Sequence, residues 1–191
     1  MKAEILDRME GTLAELGGTY LLNHAKRVLY ISRLIAAKEG LEYNDDILIF
    51  ASYFHDISGF PPYKPEGAFD HALESGKIVP GIAKEYGYNA DEIEAIVEAV
   101  KYHDKAGMGG RVETRLIRNA DGVDYLGYMA VARDFSKQPQ DMRKAISMLK
   151  KRKEQFYSII DLEYAKGLAA PRLVELENFI NKFEEESFGL Y

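Results

Sequence analysis

The sequence contains only four histidines, all within its first 103 residues, and one of them is followed directly by an aspartate. Histidine nitrogens and carboxylate oxygens bind Mn, Fe, Zn, Ni and Co ions, and one carboxylate can bridge two such ions. The chain has no cysteine, which excludes thiolate metal sites and disulfides. The candidate metal ligands are His24, His55, Asp56, His71, His103 and Asp121. Together they are numerous enough for a two-metal site with open positions for water and substrate.

Each of these residues also has a simpler interpretation when it is taken alone. A single histidine in a helical protein is more often a surface or hydrogen-bonded core residue than a ligand. Asp56 could be a helix-terminal turn residue, and Asp121 could be a solvated acid. Spacing along the chain does not specify the distance between separate elements, so the residue types alone leave both interpretations open.

The elements that must position these residues follow a helical period almost throughout. We predict helices over about 20–39, from the N-cap Asn44 to His55, and over about 69–86. Further helices are predicted from Asn89 to about His103, over 112–135, and over about 141–166 and 171–187. The Gly/Pro-rich segment 57–68 is expected to be a loop. The sequence therefore predicts an all-α, single-domain helical bundle over residues 1–191.

The overall composition is that of an ordinary globular protein, with 47% hydrophobic residues and a formal net charge of −6. This charge argues against sequence-independent nucleic-acid binding, although a local basic pocket for a small phosphate compound remains compatible with it. The first ten residues contain acids and no apolar signal-peptide core, and no apolar run approaches the roughly 20 residues of a membrane span. We expect no membrane partner and a cytoplasmic location.

Several short motifs resemble those of the HD-domain superfamily of metal-dependent phosphohydrolases. They are His24-Ala-Lys-Arg-Val28, Ala51-Ser-Tyr-Phe-His-Asp-Ile57, Glu92 to His103, and Asn119-Ala-Asp-Gly-Val-Asp-Tyr-Leu-Gly127. The resemblance covers about residues 20–135 and implies a helical HD-type metal-site core, on which the helices of about 141–187 would pack.

Carried onto this sequence, the resemblance implies a minimal metal site of His24, His55, Asp56 and Asp121. Family members with two metals add two histidines, which here correspond to His71 and His103. Asp56 would then bridge two divalent transition metal ions per chain. Many relatives carry a lysine shortly after the His-Asp pair, and Lys64 is the candidate for that role.

Several other residues are candidates for contacts to substrate or ligands. Arg27 lies three residues after His24 on the same helix face, so it is our first choice for a phosphate contact, with a salt bridge as the equal alternative. Asp104 and Asp124 could orient ligands. The aromatic residues Phe60, Tyr63 and Phe69 could stack on a base or pack in a lid. Two further groups are expected to be structural: a buried Tyr125, Tyr128 and Phe135 series, and a solvated basic stretch at 143–153 whose minority interpretation is an anionic partner.

The function expected from the resemblance is metal-dependent hydrolysis of a nucleotide or another small phosphoester or phosphoanhydride by a metal-activated water. Phosphomonoesters, phosphodiesters and pyrophosphate bonds all fall within this class. One alternative is a non-catalytic HD module that binds a nucleotide or a partner. Another is oxygen chemistry at a di-iron site with nearly the same ligands. The motifs define neither the natural substrate nor the oligomeric state.

Overall fold

The computed structural model describes residues 3–191, and within that range the chain is helical with no β-strand. The predicted all-α class is therefore confirmed. The helices are α1 (Ala3–Glu39), α2 (Asp45–Phe54), α3 (His71–Glu85), α4 (Ala90–Lys101), α5 (Val112–Asp124), α6 (Tyr128–Lys137), α7 (Met142–Ser158) and α8 (Glu163–Glu186). A short 3₁₀ turn, Ile57–Gly59, follows α2.

Local capping signals explain where three of the helices begin. Asn44 accepts hydrogen bonds from two backbone N–H groups at the start of α2, and Asp70 does the same for α3. Asn89 and Glu92 form a reciprocal capping box at the start of α4. These contacts satisfy backbone donors that a helix leaves unpaired at its first turn. The predicted starts at Asn44 and Asn89 are confirmed.

The single helix predicted over 112–135 is wrong, because the chain breaks between α5 and α6. Helix α5 ends at Asp124, and Gly127, the N-cap residue of α6, adopts a φ of 71°, which glycine reaches without steric cost. The restart at Tyr128 changes the helical phase, so Tyr128 is 65% exposed instead of buried as predicted. Tyr125 is buried, and Phe135 packs at the edge of the core.

The boundary between the last two helices also differs from the prediction. The sequence pattern predicted helices over about 141–166 and 171–187, whereas α7 ends at Ser158 and α8 begins at Glu163 and contains Pro171. The start is stabilised from a distance, because Asn119 of α5 accepts hydrogen bonds from the backbone N–H groups of Asp161 and Leu162 at 2.9 and 3.0 Å. A cap supplied by another helix has no local sequence signal.

The packing of the helices places α1 and α5 at the centre of the molecule. The two helices contact each other, α2 packs on both of them, and α3 packs on α4. Helix α1 changes direction at Gly18, whose φ of 60° lies outside the helical range. Large apolar side chains at the contacts are fully buried, including Leu13, Ile35, Phe50, Phe54 and Leu116. None of the described helices is both long and apolar enough to span a bilayer.

Candidate metal centre

The fold brings all six predicted ligands to one place, at the ends of helices and in the interior of α1 and α5. His24 and Asp121 project from α1 and α5, and His55 and Asp56 immediately follow α2. His71 is the first residue of α3, and His103 lies in the turn after α4. Residues far apart in the chain therefore meet where several helices converge.

The first part of this cluster is deeply buried and contains His24, His55 and Asp121. The Nε2 atom of His24 lies 3.1 Å from His55 Nε2 and 3.3 Å from Asp121 Oδ1. The Oδ2 atom of Asp56 lies 3.6 Å from His24 Nε2 and 3.7 Å from His55 Nε2. Ligands that are each about 2.1 Å from one ion lie about 3.0–3.5 Å from one another, so these separations approach those of a shared ion.

The second part of the cluster lies on the other side of the Asp56 carboxylate. Asp56 Oδ1 is 3.4 Å from His71 Nε2 and 3.6 Å from His103 Nε2, and the two histidine nitrogens are 3.1 Å apart. One oxygen of Asp56 therefore faces the first histidine pair, and the other oxygen faces the second pair. This is the arrangement that a bridging carboxylate requires.

Hydrogen bonds on the far side of the histidine rings determine which nitrogen carries the proton. The Nδ1–H groups of His55 and His103 donate to the carbonyl oxygens of Ser52 and Val100 at 2.9 and 2.7 Å. His24 Nδ1–H donates to Asp124 Oδ2 at 2.8 Å, and Arg133 Nη1 lies 2.6 Å from the same ring nitrogen. Because carbonyl oxygens only accept, the neutral rings of His55 and His103 direct an Nε2 lone pair into the cluster. Metal binding at His24 would require its Nε2 to lose a proton.

The electrostatics of the cluster favour a positive charge at its centre. Burial and Arg133 oppose protonation of His24, but Asp121, Asp124 and Asp56 outweigh them and raise the pKa of His24 to about 10. Burial lowers the pKa of His55 to about 4, so its imidazole is neutral near pH 7.

Both carboxylates of the cluster also hold their negative charge. Burial opposes ionisation of Asp56, but the surrounding histidines, led by His55, hold the pKa of its carboxyl well below its usual range. The pKa of Asp121 is likewise lowered, because contacts with His24 outweigh the effect of burial.

The residues present fit bound divalent ions by the chemistry of their donors. Among residues 3–191, no group makes a hydrogen bond of good geometry to the buried Asp121 Oδ1, whose nearest cationic neighbour is His24 Nε2 at 3.3 Å. A buried carboxylate oxygen without a well-aligned donor is energetically costly. Nε2 of His24, Nε2 of His55 and Oδ2 of Asp56 converge on the same small volume. A proton on His24 relieves part of the repulsion between the acids in the metal-free protein. A metal ion would replace that proton, and a nitrogen and oxygen donor set suits Mn, Fe, Ni, Co or Zn.

Asp124 connects His24 to two arginines beneath the cluster. Its Oδ2 atom accepts from His24 and, at 2.9 Å, from Arg133 Nη1. Arg27 donates to the same carboxylate from Nε at 2.6 Å and from Nη2 at 3.0 Å. Arg27 therefore forms the salt bridge that was one of its two predicted roles. The described residues that line the cavity beside the cluster do not include Arg27.

Two small networks hold the second histidine pair in place. Ser58, in the turn after Asp56, donates from Oγ to the carbonyl oxygen of His71 at 2.8 Å and accepts from Ser75 Oγ. Lys105 lies 2.8 Å from Asp70 and 2.9 Å from Asp104, the neighbours in sequence of His71 and His103. These contacts connect the start of α3 to the turn after α4, so both histidines have defined positions.

A cavity of about 1060 Å³ lies beside the cluster, on the side where Asp56 and His71 are located. His24, Asp56 and His71 form part of its wall, and His71 has 39% of its side chain exposed. Lys64, the other predicted substrate contact, also lines this cavity. Phe60 and Phe69 line it as well, whereas Tyr63 packs against the core. The cavity is large enough for a nucleotide-sized ligand.

A sequence model of the HD domain family matches residues 21–126, a range that contains all six candidate ligands. The chain belongs to the HD domain family. The predicted assignment to this superfamily is therefore confirmed. The matched range ends before α6, so α6, α7 and α8 of this HD protein lie outside it.

Comparisons with individual proteins give a distant relative and several similar folds. An uncharacterised protein of Clostridium beijerinckii is 33% identical over 82 residues, which is 43% of this chain and 51% of the relative, so the match spans about half of that protein. An HD-superfamily hydrolase from Bacillus thuringiensis has a similar structure, with a TM-score of 0.70 at 18% identity over all of both chains. YpgQ of Bacillus subtilis in complex with ADP gives 0.68 at 17% identity, covering 95% of this chain and 97% of that one. These structural likenesses show the fold.

Three residues of the site were not found from the sequence. Arg133 is 4% exposed and donates to Asp124 and to the hydroxyl groups of Tyr20 and Tyr125. One sequence feature could have revealed Arg133: it follows Ala130 by three residues, so it lies on the same face of α6 as a buried apolar residue. Ser58 and Lys105 carried no comparable signal, because their partners come from other helices.

Proposed function

We propose that this HD protein is a metal-dependent phosphohydrolase that acts on a nucleotide or another small phosphorylated compound. The observation that carries the proposal is the position of Asp56, whose two oxygens face two separate histidine pairs at the wall of a large cavity. A single-ion site needs only one of these pairs. We therefore propose two ions per chain, the first held by His24, His55, Asp56 and Asp121 and the second by Asp56, His71 and His103.

Two such ions supply a bound water of lowered pKa and positive charge beside the group that is transferred. The chain's own residues then have three tasks. The buried histidines keep their Nε2 lone pairs directed inward, because Ser52, Val100 and Asp124 hold the opposite ring nitrogens. Asp56 remains ionised and offers one oxygen to each side. Lys64 provides a cation on the cavity wall that can meet a phosphate oxygen.

The shape and lining of the cavity support a nucleotide as the substrate class. Aromatic rings line it beside the charged groups and offer surfaces on which a base could stack: Tyr20, Phe60, Phe69, Tyr125 and Phe156. YpgQ, which shares this fold, has been crystallised with ADP. Because the two proteins share a fold, the ADP complex of YpgQ supports the proposal of a nucleotide ligand here.

The first experiment measures metal content and turnover of the same preparations. Protein without a histidine tag is analysed for its metals, loaded with Mn, Co, Ni or Fe ions, and assayed on a panel of nucleotides and other phosphorylated compounds. We expect about two ions per chain and hydrolysis that chelation abolishes. A metal-replete protein that binds nucleotide without turnover would favour the non-catalytic module. Oxygen consumption by the iron form without hydrolysis would favour the oxygenase alternative.

Variants separate the two ion sites and the substrate contact. Asp56→Ala should lose most of the bound metal, because this carboxylate serves both sites. The double variant His71→Ala/His103→Ala should retain one ion, held by the buried trio. Lys64→Gln should keep both ions and lose turnover, since Lys64 forms no ion pair among the described residues and only lines the cavity. Unchanged metal content in Asp56→Ala would refute the proposed site.

A further inference from the structure

Helices α6 and α7 bring a second group of cations to the cavity, on a wall that lies outside residues 21–126. Lys137 comes from the end of α6, and Lys151 and Arg152 come from α7. We name these three residues the α6–α7 basic wall. The sequence pattern favoured a solvated helix face for 143–153, but Lys151 and Arg152 line the cavity that also contains Asp56 and His71.

The positive charges of this wall are close together and only partly neutralised. The ring of Tyr125 has Arg133 3.9 Å, Arg152 5.6 Å and Lys137 6.0 Å from its centre. Arg152 donates to Asp134, and Lys137 is close enough to the same carboxylate to interact with its charge. Among the described residues, neither Lys137 nor Lys151 forms an ion pair or hydrogen bond with a carboxylate of its own. Like charges collected on one wall repel one another, and a bound anion would remove that cost.

The neighbouring lysines of α7 show that the unpaired charge is specific to the cavity side. Lys150 pairs with Glu184, and Lys153 pairs with Glu177 at 3.0 Å, both on α8. The cations of α7 that face α8 are therefore neutralised by acids. Lys151 lies between them in sequence and lines the cavity, and no acid within residues 3–191 pairs with it. The chain as a whole carries a net charge of −6, so this excess of positive charge is a local feature.

We propose that the α6–α7 basic wall binds a second phosphate of the substrate while the first phosphate lies at the ion site. This inference rests on the proposed phosphohydrolase function and deepens it. The wall makes the cavity selective for compounds with two or more linked phosphates over monophosphates. Lys137 and Lys151 contact the outer phosphate oxygens directly. Arg152 contributes its positive charge while it stays paired with Asp134, and this pair holds its guanidinium beside Tyr125.

The test compares ADP with AMP, which share the base and sugar and differ by one phosphate. Binding of each to the Mn²⁺-loaded protein is measured by calorimetry at a matched free Mn²⁺ concentration, so the readout does not depend on turnover. Lys151→Gln and Lys137→Gln are the test variants. Lys150→Gln and Lys153→Gln are matched controls on the same helix as Lys151, because they remove the same charge from the side of α7 that faces α8.

We expect each test variant to weaken ADP binding about tenfold, the loss of one charged hydrogen bond, and AMP binding by less than about threefold. The control variants should change neither affinity by more than about twofold, and metal content should be unchanged in all four. Equal losses for ADP and AMP, unchanged ADP binding in both test variants, or no ADP binding by the wild type would each overturn the inference. An ADP-selective loss in a protein that hydrolyses nothing on the panel would support the second-phosphate site and reject the proposed catalysis alone.

Discussion

Asp124 provides a sensitive test of how the protein positions its first ion site. The Asp124→Asn variant keeps the size of the side chain and removes its charge. In the structure this carboxylate is 1% exposed and accepts from His24, Arg27 and Arg133. The substitution should therefore weaken the orientation of the His24 ring and leave two arginines without their charged partner.

Two magnitudes follow from these contacts. Loss of the carboxylate behind a metal-binding histidine typically lowers metal affinity about 10–100-fold. Removing one partner of a buried ion pair costs about 3–5 kcal/mol of stability, and we expect the lower end. Arg27 has 32% of its side chain exposed, so water replaces part of its pairing, and asparagine still offers one acceptor oxygen.

The assay is a Zn²⁺ or Mn²⁺ titration against a competing chelator, together with urea unfolding of the metal-free protein. Asp45→Asn is the matched control, because Asp45 also accepts two hydrogen bonds from one arginine, Arg33, but at the surface. That variant should lose less than about 1 kcal/mol and keep its metal affinity. If Asp124→Asn binds metal as tightly as the control, the proposed orientation of His24 is refuted.

Three further outcomes are expected. The metal-free protein should become less stable as the pH rises from about 6.5 to about 10. The pKa of His24 is raised to about 10 in the folded protein, so the stability gained from its proton is lost across that window. A urea unfolding midpoint that stays constant over this range would contradict this. Gly122→Ala should lower stability by about 1–3 kcal/mol in thermal scans, because the added Cβ would lie 2.8 Å from an Ile160 carbon. Gly81→Ala is the control: it has open space around it in α3 and should raise stability by about 0.5–1 kcal/mol. Arg27→Ala should reduce stability and metal retention while leaving turnover per bound ion unchanged, so a loss of turnover at full metal content would return Arg27 to a substrate role.

The sequence was sufficient for the helical class and the family because both depend on local signals. The apolar period and caps such as Asn44 and Asn89 act within a few residues, and the structure confirms the helices that they predict. The HD motifs are also short and contiguous, so they identified the family and the six candidate ligands before any distance was known. The break at Gly127 was missed because the helical pattern continues on both sides of it, and only the backbone conformation reveals the change of phase.

Tertiary structure decided which wall each charged side chain faces, since spacing along one helix does not define its neighbours. Arg27 follows His24 by one turn, as the sequence showed, but only the fold places Asp124 of α5 where it binds both side chains. Lys151 looks the same as Lys150 in the basic stretch. In the fold, Lys150 faces α8 and pairs with Glu184, whereas Lys151 lines the cavity and has no acidic partner in the part of the chain that the structure describes. The amino-acid types thus determined what chemistry was available, and the packing of distant helices determined which of those groups share one site.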